Sequence, residues 1–220
     1  MPTLVTDDFN RADSGSLGAN WTDVVNGLDI ASNQAVPGNT TNALNLSVYT
    51  GFGAFPNNQW AQAKVNRQGS SSDGGVVVRC SNSAQTMYWF NIGDDTSAAI
   101  PGTLALNILK GVAGSYSVVS SSPAGGSTMT ISAGDVLYIE AQGTSTVTII
   151  CKVNGVTVMT GTDSSSPIAS GFPGLFPFQH NNDALSFTQY DDFAAGDFAS
   201  AFIAKQNAPL RQAVKRAAFY

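Results

Sequence analysis

Thr146-Val-Thr-Ile-Ile-Cys-Lys-Val153, then Asn154-Gly155, then Val156-Thr-Val-Met159, is the stretch that decides the fold. β-Branched residues dominate both flanks, and Asn-Gly tolerates the positive φ that both central residues of a type I′ turn require, so the spacing predicts a two-residue β-hairpin. Side chains alternate along a strand, which places Ile149, Cys151 and Val153 on one face. By the same alternation Val76, Val78 and Cys80 share a face, and both cysteines are expected as small buried thiols pointing into the core. A disulfide between them is the lesser alternative and metal ligation the least.

Runs of the same β character recur on either side: Trp60 to Asn66, Gly75 to Ser81, Thr86 to Ile92, Leu104 to Leu109, Tyr116 to Ser120 and Val136 to Ala141. Turn signals separate them, among them Asn26-Gly27, Asp73-Gly74-Gly75, Pro101-Gly102, Gly125-Gly126, Gly134-Asp135 and Pro173-Gly174. Many short strands with tight turns predict an all-β antiparallel sandwich of the jelly-roll type. Ser70-Ser-Ser, Ser120-Ser-Ser-Pro and Ser164-Ser-Ser-Pro read as hairpin loops, so no internal boundary is expected and one sandwich covers residues 1–196. Past Gly196 the β-runs stop, Pro209 interrupts, and Leu210 to Tyr220 is rich in helix formers, with Leu210 and Val214 one turn apart beside Arg211 and Lys215. Residues 197–220 are therefore expected to be a basic segment with a short amphipathic helix, too short to be stable without a surface to pack on.

Of 220 residues, 43% are hydrophobic and 11% charged, a balance that suits strands and polar turns better than long solvated helices. The net charge of −5 is unevenly spread. Through Asp197 six basic residues face fifteen acidic ones, a net of −9, whereas the rest of the chain carries +4 from Lys205, Arg211, Lys215 and Arg216. Such an acidic body repels phosphate backbones, so nucleic acid is not an expected partner. No run approaches the roughly 18 apolar residues of a membrane span, and the opening Met-Pro-Thr-Leu-Val has no basic stretch before an apolar one; the chain is expected to be soluble and made without a secretion signal.

Asp7-Asp8-Phe9-Asn10-Arg11-Ala12-Asp13 followed by Leu17-Gly18-Ala19-Asn20-Trp21 resembles the start of concanavalin A-like, laminin G-like jelly rolls in tailed-phage structural proteins. Val25-Asn-Gly-Leu28, Gly134-Asp-Val-Leu-Tyr-Ile-Glu140, Val153-Asn-Gly155 and Tyr190-Asp-Asp-Phe193 follow in the order of such domains, so the resemblance covers about residues 3 to 196. It implies that the first and last strands are neighbours, which fits the echo of Asp7-Asp8-Phe9 in Asp191-Asp192-Phe193. It also implies, as an expectation, a virion component made in the host cytoplasm. The fold hosts unrelated activities, so function must be argued from a site.

Related jelly rolls include glycosidases, whose chemistry needs two carboxylates facing the scissile bond. Glu140 is the sole glutamate, and the doublets Asp94-Asp95 and Asp191-Asp192 would point their members to opposite faces if extended. His180, the one histidine, reads as part of a polar turn rather than a triad, and no phosphate-loop or zinc spacing occurs. The expectation is a protein that is not an enzyme. Structural calcium is a minor candidate at Asp8, Asp191 and Asp192, since hard oxygen ligands suit it. For sugar, Trp89 and Asn91 share a strand face opposite Tyr88, Phe90 and Ile92, and Trp60 could join them from a neighbouring strand, although core packing of Trp89 is the more economical reading.

The leading expectation is a capsid decoration or accessory protein of a phage. Its anchor on another virion subunit would be Phe198, Phe202, Ile203, Lys205, Leu210, Arg211, Val214, Lys215, Arg216, Phe219 and Tyr220. The alternative is a carbohydrate-binding adhesin that contacts cell-surface glycans. Pairing of exposed sheet edges between copies would make a homo-oligomer.

Overall fold

The computed structural model describes residues 2–41, 43–67, 72–94, 104–121, 131–179 and 188–198. His180, Asp95 and the anchor beyond Phe198 lie outside the described residues. Every regular element among those residues is a strand: β1 (Thr3–Asp7), β2 (Trp21–Val25), β3 (Leu28–Ala31), β4 (Gln34–Pro37), β5 (Leu46–Tyr49), β6 (Gln59–Arg67), β7 (Ser72–Cys80), β8 (Met87–Asp94), β9 (Leu104–Val112), β10 (Ser115–Ser121), β11 (Val136–Gln142), β12 (Val147–Val153), β13 (Val156–Asp163), β14 (Phe172–Leu175), β15 (Phe178–Gln179) and β16 (Gln189–Asp197). They form two antiparallel sheets. Sheet A runs β13-β12-β11-β6-β16-β4-β3 with β1 also paired to β16, and sheet B runs β10-β9-β8-β7-β14-β5-β2 with β15 also paired to β7.

The hairpin expected at Asn154-Gly155 is present, with φ of 51° and 78°, and joins β12 to β13. Two more pairs with both φ positive close hairpins from less obvious sequence: Ser32-Asn33 between β3 and β4, and Ala113-Gly114 between β9 and β10. Asn26-Gly27 has the same backbone but no hairpin, because β2 lies in sheet B and β3 in sheet A. The serine runs correct the expectation of hairpin loops. Ser72 opens β7, Ser120 and Ser121 close β10, and Ser164 to Ser166 follow β13; the strands that flank each run, β6 and β7, β10 and β11, β13 and β14, belong to opposite sheets, so these connections are crossovers.

One continuous core fills the space between the sheets and reaches from Val5 to Ala195. Val76 and Val78 of β7 point into it, as do Tyr88, Phe90 and Ile92 of β8. Cys151 does too, but Cys80 does not: Arg79 takes a positive φ of 53°, alternation breaks, and Cys80 packs on the opposite face of sheet B with Val77. The two buried thiols are free and in different clusters, which corrects the alternative of a disulfide. Burial pushes both thiols well above the ordinary range.

The first and last strands pair antiparallel, with Asp7 opposite Phe193, so the repeated Asp-Asp-Phe is a physical closure. Phe9 and Phe193 flank the Trp21 ring at 5.9 and 4.8 Å between centroids. The Trp21 Nε1 donates to Asp7 Oδ2 at 2.8 Å, and Arg11 grips both oxygens of the same carboxylate.

Candidate functional site

Burial of Tyr88, Phe90 and Ile92 in the core turns Met87, Trp89, Asn91 and Gly93 to the outer face of sheet B. The register extends that face sideways. Trp89 stands opposite Leu109 on one side and Val77 on the other, Asn91 opposite Asn107 and Gly75, and Gly93 opposite Ala105 and Asp73. On the edge strand β10, Val118 faces Leu109 and Tyr116 faces Gly111.

Trp60 is elsewhere. It packs with Tyr138 and Ala194 on the outer face of sheet A, its ring stacked on Tyr138 at 5.7 Å. The sandwich therefore separates Trp60 from Trp89 and Asn91, which corrects the expectation of a shared platform. Nor is Trp89 a free platform, since it is only 5% exposed and packs at 4.2 Å on Phe176 and edge-on at 6.2 Å to Tyr116. The accessible ring of this face is Tyr116, 39% exposed, with its hydroxyl bonded to Gln85 Oε1 at 2.7 Å. On the same face Val118 is 61% exposed. Sequence reading missed Tyr116; its signal was the glycine opposite, because a Cβ at Gly111 would stand 3.1 Å from the Tyr116 ring.

Beneath Tyr116 the face turns polar. Trp89 Nε1 and Asn91 Oδ1 are buried and have no hydrogen-bond partner among the described residues. Both border Gly75: it pairs with Asn91, and a Cβ there would lie 2.5 Å from Trp89 Nε1. A side chain at Gly93 would collide with the Asp73 carboxylate and meet Asn91 Nδ2 at 3.4 Å.

The other candidates are engaged in structural bonds. Glu140, on the outer face of sheet A, accepts from Tyr138 Oη at 2.6 Å, Lys152 Nζ at 3.2 Å and Gln142 Nε2 at 3.2 Å. A bulge between Asp191 and Ala194, with Asp192 at φ 48°, brings Asp191 and Asp192 together on Lys64 at 3.2 and 2.8 Å, correcting the expectation of opposite faces. Among the described residues no three acidic, histidine or cysteine side chains gather as metal ligands. The ammonium of Lys64 supplies a countercharge to Asp191 and Asp192, the minor calcium candidates, and Asp8 Oδ1 accepts from Asn10 N at 3.1 Å. Asp8, Arg11, Asn20 and Asp192 line a cavity of about 640 Å³ beside β1 and β16. Its one aromatic, Phe193, is a core residue and offers no stacking surface.

No family model and no curated protein matches the chain. Solved structures with the same fold do. The carbohydrate-binding module CBM66 from Bacillus subtilis superposes with a TM-score of 0.58 at 14% identity, over 83% of this chain and 98% of that one. The CBM2 module of the evolved Dit of Lactobacillus casei BL23 phage J-1 gives 0.54 at 10%, over 88% and 94%. A family 16 endo-glucanase from Bacteroides ovatus gives 0.51 at 12%, over 87% and 98%. At such identities the likeness is one of fold: this is the concanavalin-like sandwich shared by binding modules and hydrolases alike.

Proposed function

We propose that this chain is a non-catalytic glycan-binding sandwich that uses the outer face of sheet B. The observation that carries the reading is Tyr116, an exposed ring set on a buried aromatic base of Trp89 and Phe176. A ring held from below presents a flat apolar surface at little entropic cost, and sugars bind through such a surface with a few placed hydrogen bonds. Likeness to carbohydrate-binding modules supports it. A hydrolytic reading gains less, because the sole glutamate is tied to Tyr138, Gln142 and Lys152 on the other sheet.

The test is a glycan array read with the full chain, Tyr116→Ala and Trp60→Ala. Retention of glycans by the full chain and Trp60→Ala, with about tenfold weaker binding by Tyr116→Ala, is expected. No glycan retained, or loss on Trp60→Ala instead, would remove the reading.

A phage particle is the proposed setting, as a decoration or accessory protein held to another virion subunit by residues 197–220. Two observations favour it: the sequence resemblance to tailed-phage domains, and the phage J-1 module among the structural relatives. Geometry suits it as well. Phe198 packs against Trp60, Tyr138 and Ala194 on the outer side of sheet A, opposite the glycan face. Because β16 runs to Asp197 and Phe198 is part of that cluster, the informative truncation ends after Phe198. Particles lacking the protein should sediment with the full chain and not with the truncated one.

A further inference from the structure

We propose that β10 is a self-association edge, through which two copies of this chain pair antiparallel along Ser115–Val118 and join their two sheets B into one. The proposal goes beyond the glycan-binding reading and does not rest on it. A strand at the end of a sheet presents unpaired backbone groups that template another strand, and proteins that stay apart blunt such edges with charge, proline, bulges or cover. The strands that end the two sheets are β13 and β3, and β10 and β2. Three of them are blunted. On β3, Ser14 exchanges both backbone bonds with Ile30, at 3.0 and 2.8 Å. The register of β2 breaks between Asp23 and Val25, beside the Asp23 carboxylate. The pairing of β13 is bulged opposite Cys151 and Lys152, and its far end lies against β10, where a Cβ at Gly161 would stand 3.0 Å from Val119 Cγ1.

The first four residues of β10 have none of these protections. Gly111 to Ser121 contains no charged residue and no proline. Ser115, Tyr116, Ser117 and Val118 are all exposed, and among the described residues the strand pairs with β9 alone. Its own bulge comes only after Val118, which leaves Ser115–Val118 straight and open.

Face and charge together select a second copy as the partner. Residues directly opposite in an antiparallel pair lie on the same face, so an added strand must set outer residues against Tyr116 and Val118. A second β10 does so when a two-fold axis normal to the sheet passes Ser117. Tyr116 of each copy then stands opposite Val118 of the other, an aromatic against a β-branched side chain, a combination that stabilises sheets. Both Tyr116 rings are left on one outer face. Through Asp197 the chain carries a net −9, so copies repel one another over most of their surface. Pairing through Ser115–Val118 brings no like charges together, and the nearest cation along β9, Lys110, is already bonded to Asp163 at 2.8 Å.

The experiment is sedimentation equilibrium of the full chain from micromolar to millimolar concentration, at about 50 mM and about 500 mM salt, which shortens the reach of charge roughly threefold. It includes Val118→Lys and, on the β13 edge, Val156→Lys; these valines are 61% and 65% exposed, so neither change disturbs the core. The wild type should pass from monomer to dimer as concentration rises, and should dimerise more tightly at the higher salt. Lysine on the edge should weaken the dimer about tenfold in Val118→Lys, whereas Val156→Lys should leave it unchanged. Ser117→Cys, oxidised with diamide, should be trapped as a disulfide dimer, because opposite residues of an antiparallel pair lie within disulfide reach and the native thiols are buried. A monomer at every concentration overturns the proposal and leaves the glycan-binding reading untouched. A dimer that Val118→Lys leaves intact, or that Ser117→Cys fails to trap, also overturns it. So does a dimer that salt dissociates, the behaviour of the basic segment of one copy docking on the acidic body of another.

Discussion

Asp7 shows how one side chain can organise a terminus. Burial alone would raise its pKa, but the bonds from Arg11, Trp21 Nε1 and the Phe9 amide outweigh that and hold the carboxyl below its ordinary value. Asp163 is arranged alike: burial is outweighed by Lys110, Tyr88 Oη and the Ser165 amide. A carboxyl whose pKa is depressed by folding contributes stability that is full above its unfolded value, about 3.9, and is lost as pH falls through the folded value. Asp7→Asn should therefore be less stable than the wild type at pH 7 in urea unfolding, with the gap narrowing as the pH drops below about 4. Arg79 is the other organising residue, buried without a carboxylate and donating to the carbonyls of Asn57, Ile168 and Gly143 at 2.7 to 2.8 Å. Arg79→Met would orphan three acceptors and should cost about 2–4 kcal/mol, read from the urea midpoint. The importance of Asp7, Arg11, Leu17 and Trp21 was legible as a motif, because the bonds join residues close in sequence. Arg79 was not legible, since its partners lie 22 to 89 residues away.

At the scale of elements, alternation and turn chemistry carried the reading a long way. All the strands expected between residues 60 and 153 are present, together with the hairpin after Val153. What alternation could not supply was the assignment of strands to sheets: a serine run looks the same whether it closes a hairpin or crosses the sandwich, and the partner strand is chosen by distant residues. Bulges defeated it as well, turning Cys80 away from the core and bringing Asp191 and Asp192 to one side. Two glycines separate conformational from steric cost. Gly155, at φ 78°, has open space where a Cβ would stand, so Gly155→Ala should cost only the left-handed backbone penalty of about 1 kcal/mol. Gly171, at φ 145°, would press a Cβ against the carbonyl carbon and oxygen of Arg79 and the oxygen of Cys80. Gly171→Ala should cost at least about twice as much, and paired denaturant titrations of the two variants check the ordering.

For the whole molecule, the sandwich has two unlike outer surfaces. Sheet A presents Trp60, Tyr138 and the ionic set around Glu140, and its last strand leads into the basic segment. Sheet B presents Tyr116 and Val118. The sequence revealed the aromatic and amide residues but not their separation, because which outer face a strand shows depends on which sheet recruits it. Hydrogen exchange of the full chain, with and without the oligosaccharide retained on the array, tests the central claim directly. Protection confined to β7, β8, β9 and β10 is the result the account predicts; protection of β6, β11 and β12, or of the cavity beside β1 and β16, would contradict it.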